Sequence, residues 1–72
     1  MGDNARVASV LEEVADLLEL KEDSFFQVRA YRRAAREISA LTGDIRDLYV
    51  RGHLDQVPGV GKAIRDKVIE VL

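Results

Sequence analysis

The sequence predicts an all-α fold, a compact bundle of four to five short helices in 72 residues. Three observations carry this. Apolar residues recur at three- and four-residue spacing along most of the chain. No segment alternates with period two, so no sheet is expected. Turn and capping residues cut the chain into short pieces, each able to bury one stripe only by packing on the others. A chain of this length makes one domain with little surface to bury, and a hydrophobic content of 47% suffices for one core.

Val7, Val10, Leu11, Val14, Leu17 and Leu18 predict an amphipathic helix over about 4–20, with Asp3 or Asn4 as its N-cap. Glu12, Glu13, Asp16 and Glu19 fall largely off that stripe and read as a solvated face. Lys21-Glu22-Asp23-Ser24 is a short connection, and Ser24 with Gln27 has capping-box spacing. A second helix from about 25 should bury Val28, Ala35, Ile38 and Leu41, with Phe25 near its start. Thr42-Gly43-Asp44 ends it, Gly43 as the residue after the C-cap and Asp44 or Thr42 as the next N-cap. A third helix over about 44–51 should bury Ile45, Leu48 and either Tyr49 or Val50 before Gly52 stops it. His53 to Val57 reads as a short helical turn. The last helix, from about 61, presents Ile64, Val68, Val71 and Leu72 and meets no stop signal, as expected of a domain cut from a longer protein.

Composition removes several function classes. With no Cys and one His, disulfides and a structural zinc site are excluded. No signal peptide or membrane span is visible, and an acidic first helix argues against anionic membranes, so a cytoplasmic, nucleoid-associated location is expected. The net charge of −2 hides an asymmetry. Residues 1–24 carry seven acids and two bases, whereas residues 25–72 carry nine bases and six acids. Arg29, Arg32, Arg33 and Arg36 fall within eight residues that contain no acid, and it is the local field that an anion meets. They follow three- and four-residue spacing, although all four cannot face one way.

Val57-Pro58-Gly59-Val60-Gly61-Lys62 is the most informative segment. Pro58 fixes φ and stops what precedes it; Gly59 and Gly61 can take φ > 0 and let the backbone pass close to a ligand. The helix that follows brings unpaired N–H groups and a positive dipole end to the same place, with Lys62 beside it. This is the pattern of a helix-hairpin-helix turn that grips one nucleic-acid phosphate. It is not a phosphate-binding P-loop, since Gln56 and Ala63 occupy the positions that need Gly and Ser or Thr. A dinucleotide fingerprint fails at Ile64, and no strand precedes the turn. Ser9, Ser24 and Ser39 have no partner His on any visible motif, and His53 reads as an exposed turn residue.

Set beside Leu17-Leu18-Glu19-Leu20 and the run from Arg29 to Ile38, the hairpin makes the whole chain resemble the amino-terminal domain of family X DNA polymerases, the family of DNA polymerase beta. The Ala-Tyr-Arg-basic-Ala-Ala run looks most like bacterial and archaeal members. The resemblance implies binding of gapped or nicked DNA at the 5′-phosphate side of a gap in repair synthesis. The remaining polymerase domains of the parent chain would be partners, and this domain a monomer. It implies DNA contacts at Gly59, Val60, Gly61, Lys62, Tyr31, Arg32, Arg33 and Arg65, and stacking of Phe26 on a base. It also implies a Na⁺ or K⁺ ion on the carbonyls of Asp55, Val57 and Val60, and no other cofactor. Lys67 matches the lysine that forms a Schiff base in 5′-deoxyribose-phosphate lyases, with Asp66 beside it. The chain departs from the family pattern at Gln27, Asp55 and Ala63, where lysines are expected. Three readings stay open: a DNA-binding module, a lyase acting through Lys67, and a helical protein-interaction domain with a degenerate hairpin. Polymerase activity is excluded for these 72 residues, which the bundle already uses.

Overall fold

The computed structural model describes residues 2–21 and 24–72. Four α-helices follow in order: α1 (Asn4–Leu18), α2 (Phe25–Ser39), α3 (Ile45–Val50) and α4 (Lys62–Val71), with a single 3-10 turn at Leu54–Gln56 between the last two. No strand occurs among the described residues, so the all-α prediction holds. Glu22 and Asp23, in the predicted connection, lie outside the described residues.

The two long helices pack on each other and make most of the core. Val7, Ala8, Leu11 and Ala15 of α1 are buried, as are Val28, Ala34, Ala35 and Ile38 of α2. The alanines leave room for close approach, while Leu11 and Ile38 fill the space between. Ile45, Leu54, Val57, Ile64 and Val68 join the same cluster, so each later element is tied to the α1–α2 pair by one or two side chains. At the other end of α4, Arg6 donates to the Val71 carbonyl at 3.3 Å.

The buried stripe on α1 is narrower than periodicity predicts: Leu17 is 66% exposed, and Val10, Val14 and Leu18 are only half-buried. Phe25 and Val50 are also exposed, Val50 at 76%, and Tyr49 is exposed as well. A six-residue helix has one buried side, and α3 spends it on Ile45 and part of Leu48.

The caps correct the expectations in an instructive way. Asp3 stands at the N-cap of α1 but makes no side-chain cap bond. Its carboxylate instead takes the Arg46 guanidinium at 2.7 Å and Arg6 at 3.1 Å. The Arg46 hydrogen bond holds that carboxyl below the usual carboxylate range. Asn4 also looks outward: its amide donates to the Gly43 carbonyl at 2.7 Å and accepts from the Ile45 N–H at 2.7 Å. The start of α1 thus helps cap α3, together with Asp44, which accepts from the Arg46 N–H at 3.0 Å. Ser24 makes no capping box; its φ of −105° and ψ of 24° lie outside the extended region an N-cap side chain needs. Gly43 is not a left-handed C′ residue, because α2 has already ended at Ser39. Gly52 does stop α3. With φ of +75° it donates to Tyr49, while His53 donates back to Leu48 at 2.8 Å, the paired bonds of a Schellman motif.

Arg32 gathers three acids along α1 and at its C-cap. Its guanidinium reaches Glu12 at 2.6 Å, Asp16 at 3.1 Å and Glu19 at 2.6 Å. Hydrogen bonds to Asp16 and Glu12 raise its already high pKa. The predicted solvated acidic face is therefore in large part a three-carboxylate clamp that holds α1 to α2. Replacing Arg32 with Gln leaves like charges facing one another. Thermal melts should show a lower Tm for this variant, with the difference shrinking as salt screens the carboxylates. A Tm that stays at the wild-type value would remove the clamp as a structural element.

Candidate nucleic-acid interface

The hairpin is built by anchoring both its legs in the core. Leu54 and Val57 on one side, and Ile64 and Val68 on the other, are buried. Between them the chain must reverse within four residues. Pro58 suits the second position of a β-turn, and Gly59 takes φ of +85° at the third. Val60 N–H closes the turn on the Val57 carbonyl at 3.1 Å, the arrangement of a type II turn. Gly61 differs from expectation. Its φ of −87° and ψ of −172° are ordinary extended backbone, so only Gly59 uses the left-handed region.

Gly61 is the N-cap of α4, and it has no side chain to satisfy the amides behind it. Among the described residues, the N–H groups of Gly61, Lys62, Ala63 and Ile64 donate to no protein acceptor. A Cβ placed on Gly61 would meet nothing within 4 Å, so the approach to these amides is open. The positive end of a ten-residue helix adds to their field.

The packing then brings one arginine of α2 to the turn. A Cβ on Gly59 would lie 3.4 Å from both Cγ and Cδ of Arg33. The stem of Arg33 therefore crosses the turn at Gly59, and its guanidinium pairs with no described carboxylate. Lys62 is 84% exposed on the same first turn, with its ammonium 3.5 Å from Asp66.

The chain belongs to the helix-hairpin-helix domain family. The family model for the helix-hairpin-helix domain matches residues 2–72, all but the first residue. No significant match emerges among curated proteins or solved structures. Helix-hairpin-helix domains generally bind DNA without regard to sequence.

The other predicted residues of this helix-hairpin-helix domain are distributed unevenly around the hairpin. Gly59, Val60, Gly61 and Lys62 form the turn and the head of α4, with Arg33 against them. Arg32, about 100° around α2 from Arg33, is drawn off by Glu12, Asp16 and Glu19 and is no longer a free cation for a phosphate. Tyr31 is half-buried against the core. Two positions from Arg33, it lies about 200° around α2 from it, on the opposite side. Arg65 is half-buried one turn into α4, beside a groove it shares with Tyr49, Leu54, Asp55, Asp66 and Ile69. Phe26 is 85% exposed at the start of α2, its ring centroid 6.2 Å from that of Phe25. Lys67 lies further along α4, its ammonium 3.5 Å from Glu70.

For the carbonyl trio of Asp55, Val57 and Val60, the Val57 oxygen already closes the turn, which leaves it one lone pair. Three carbonyl oxygens suit a hard monovalent cation by donor type. No group of three His, Cys, Asp or Glu side chains able to hold a metal occurs among the described residues. Likewise, none of the described helices is long and apolar enough to cross a membrane.

The sequence reading missed two features. The Arg32 clamp had a signal: Glu12, Asp16 and Glu19 follow the i, i+4, i+7 row of one helix face and so call for a cation opposite. The contact between Arg33 and Gly59 had none, because it depends on how α2 sits against the turn.

Proposed function

We propose that this domain binds DNA without reading its sequence, seating one backbone phosphate on the open amides of Gly61, Lys62 and Ala63. In its finer form, the phosphate belongs to the 5′-phosphate side of a gap during repair synthesis. The observation that carries the reading is the convergence at one point of unpaired amides, a helix N-terminus and the Arg33 stem lying across Gly59. Each favours a phosphate and none reads a base edge. Family membership points the same way. Lys62 adds charge at the rim, and a Na⁺ or K⁺ ion on the carbonyls of Asp55, Val57 and Val60 would bridge the turn to the same phosphate. Phe26 offers a ring for an adjoining base.

The lyase reading through Lys67 is the alternative. Lys67 lies 3.5 Å from Glu70, and the positions where the resemblance expects further lysines hold Gln27 and Ala63.

Titration of a labelled duplex, nicked and gapped, with and without a 5′-phosphate, tests the proposal. Affinity should fall with salt at a slope of about −3 in log K against log salt, as for roughly three or four neutralised phosphates. Gapped DNA with a 5′-phosphate should bind more tightly than the intact duplex. Equal affinity for all forms would remove the gap but keep the phosphate grip; no binding would leave the protein-interaction reading. Borohydride added to DNA bearing a 5′-deoxyribose phosphate should trap no adduct, and an adduct lost in Lys67→Ala would reinstate the lyase.

A further inference from the structure

We propose that the outer face of α2 is a second phosphate-contacting element, in which Arg29, Arg33 and Arg36 follow the same duplex strand that the hairpin holds. The inference rests on the phosphate-binding reading of the hairpin and extends it to a track.

The clamp on Arg32 sorts the four arginines. At about 100° per residue, Arg29, Arg33 and Arg36 fall within an arc of about 60°. Arg32 projects to one side of that arc, toward α1, where its charge is matched by three carboxylates. The other three are exposed and pair with no described carboxylate. Residues 24–36 contain no acid; Glu37 follows Arg36 one turn after Arg33, and Glu12 of α1 lines a groove with Arg36, but neither carboxylate forms an ion pair with the three arginines.

Two contacts place the stripe. The Arg33 stem lies on Gly59, which joins the middle of the stripe to the hairpin turn. The guanidinium of Arg29 lies over the Phe25 ring, 5.7 Å from its centroid, which holds it at the start of the helix. From Arg29 to Arg36 the helix rises about 10.5 Å. Backbone charges recur every few ångströms along a duplex, so a stripe of this length meets more than one phosphate. An arginine fork suits each of them, and the contact carries no sequence information. The charge asymmetry of the chain is compatible with such a track: seven of its thirteen acids lie within residues 1–24, before α2 begins.

Fluorescence anisotropy with a short mixed-sequence duplex, repeated over a range of salt, tests the track. The variants are Arg29→Gln with Arg36→Gln, Gly61→Val, and Arg6→Gln as a control that removes one cation at the far end of α4, so slopes are compared per charge removed. A circular-dichroism melt of each checks the fold. The double variant should reduce the salt slope by about 1.8, or about 0.9 per lost phosphate contact, and converge with the wild type at high salt. Arg6→Gln should keep the wild-type slope. An unchanged slope in the double variant, with Gly61→Val still impaired, overturns the track and leaves the hairpin reading in place. A slope reduced by about 0.9 in Arg6→Gln overturns it as well, since the loss per charge would then be the same wherever the charge sits. Gly61→Val binding as wild type removes the hairpin, and with it the continuity proposed. A wild-type domain that does not bind the duplex at low salt overturns both.

Discussion

Gly61→Val should leave the domain folded and weaken its binding to DNA by about 10- to 100-fold. The extended backbone at Gly61 is one that valine adopts readily, and an added Cβ there meets no protein atom within 4 Å. Folding should lose no more than about 1 kcal/mol, the cost of a poorer N-cap. The open side of Gly61 is where a phosphate oxygen must approach the amides of α4. Hydrogen bonds from amides to a charged group contribute about 1.5–3 kcal/mol, which sets the expected range of affinity loss. Gly59→Ala is the informative contrast. There the backbone has φ of +85°, and the new Cβ would press on Arg33, so stability should fall by about 1–2 kcal/mol along with binding. Melts and anisotropy on both variants separate the two glycines. If Gly61→Val binds DNA as the wild type does, the phosphate is not held at the head of α4.

Leu11→Ala should be the most damaging substitution for the fold, costing about 2–5 kcal/mol. Leu11 is fully buried on the α1 face that packs with Ala34, Ala35 and Ile38 of α2, so its truncation leaves a cavity in the core. A domain of this length is expected to have a total stability of about 4–11 kcal/mol. The single change therefore removes a large part of it. Urea unfolding should show a lower midpoint with an unchanged m value. A loss below about 1 kcal/mol would mean that the core is less tightly packed around Leu11 than its burial indicates.

Much of the fold was legible because periodicity and stop signals are local. Val7, Leu11, Val28 and Ile38 could be assigned to the core from spacing alone, and Gly52 could be placed at the end of α3 from the short run before it. Other signals misled in ways that have physical causes. Asp3, Asn4 and Ser24 are good capping residues by type, but Asp3 and Asn4 found partners some forty residues away, and Ser24 has a backbone that keeps its side chain from the cap. Periodicity also could not tell Leu17 or Phe25 from core residues, since an amphipathic stripe says which face is apolar but not how far along it a partner extends. At the candidate site, the hairpin itself was readable from Pro58 and Gly59. The division of labour among the arginines was not. Four arginines in eight residues look alike in a sequence; only the position of α1 shows that Arg32 is occupied and Arg33 is free.

The hydrogen bonds of Asn4 carry a consequence for how the domain folds. A six-residue helix is far below the length that is stable alone, so α3 depends on what holds its first turn. Part of that hold comes from the beginning of the chain, about forty residues earlier in the sequence. The amide of Ile45 therefore reports on residue 4. Its hydrogen exchange should be protected only while the two segments are docked, and loosening the amino-terminal residues should release α3 before it frays α1. The first turn of the protein acts as a latch on its middle.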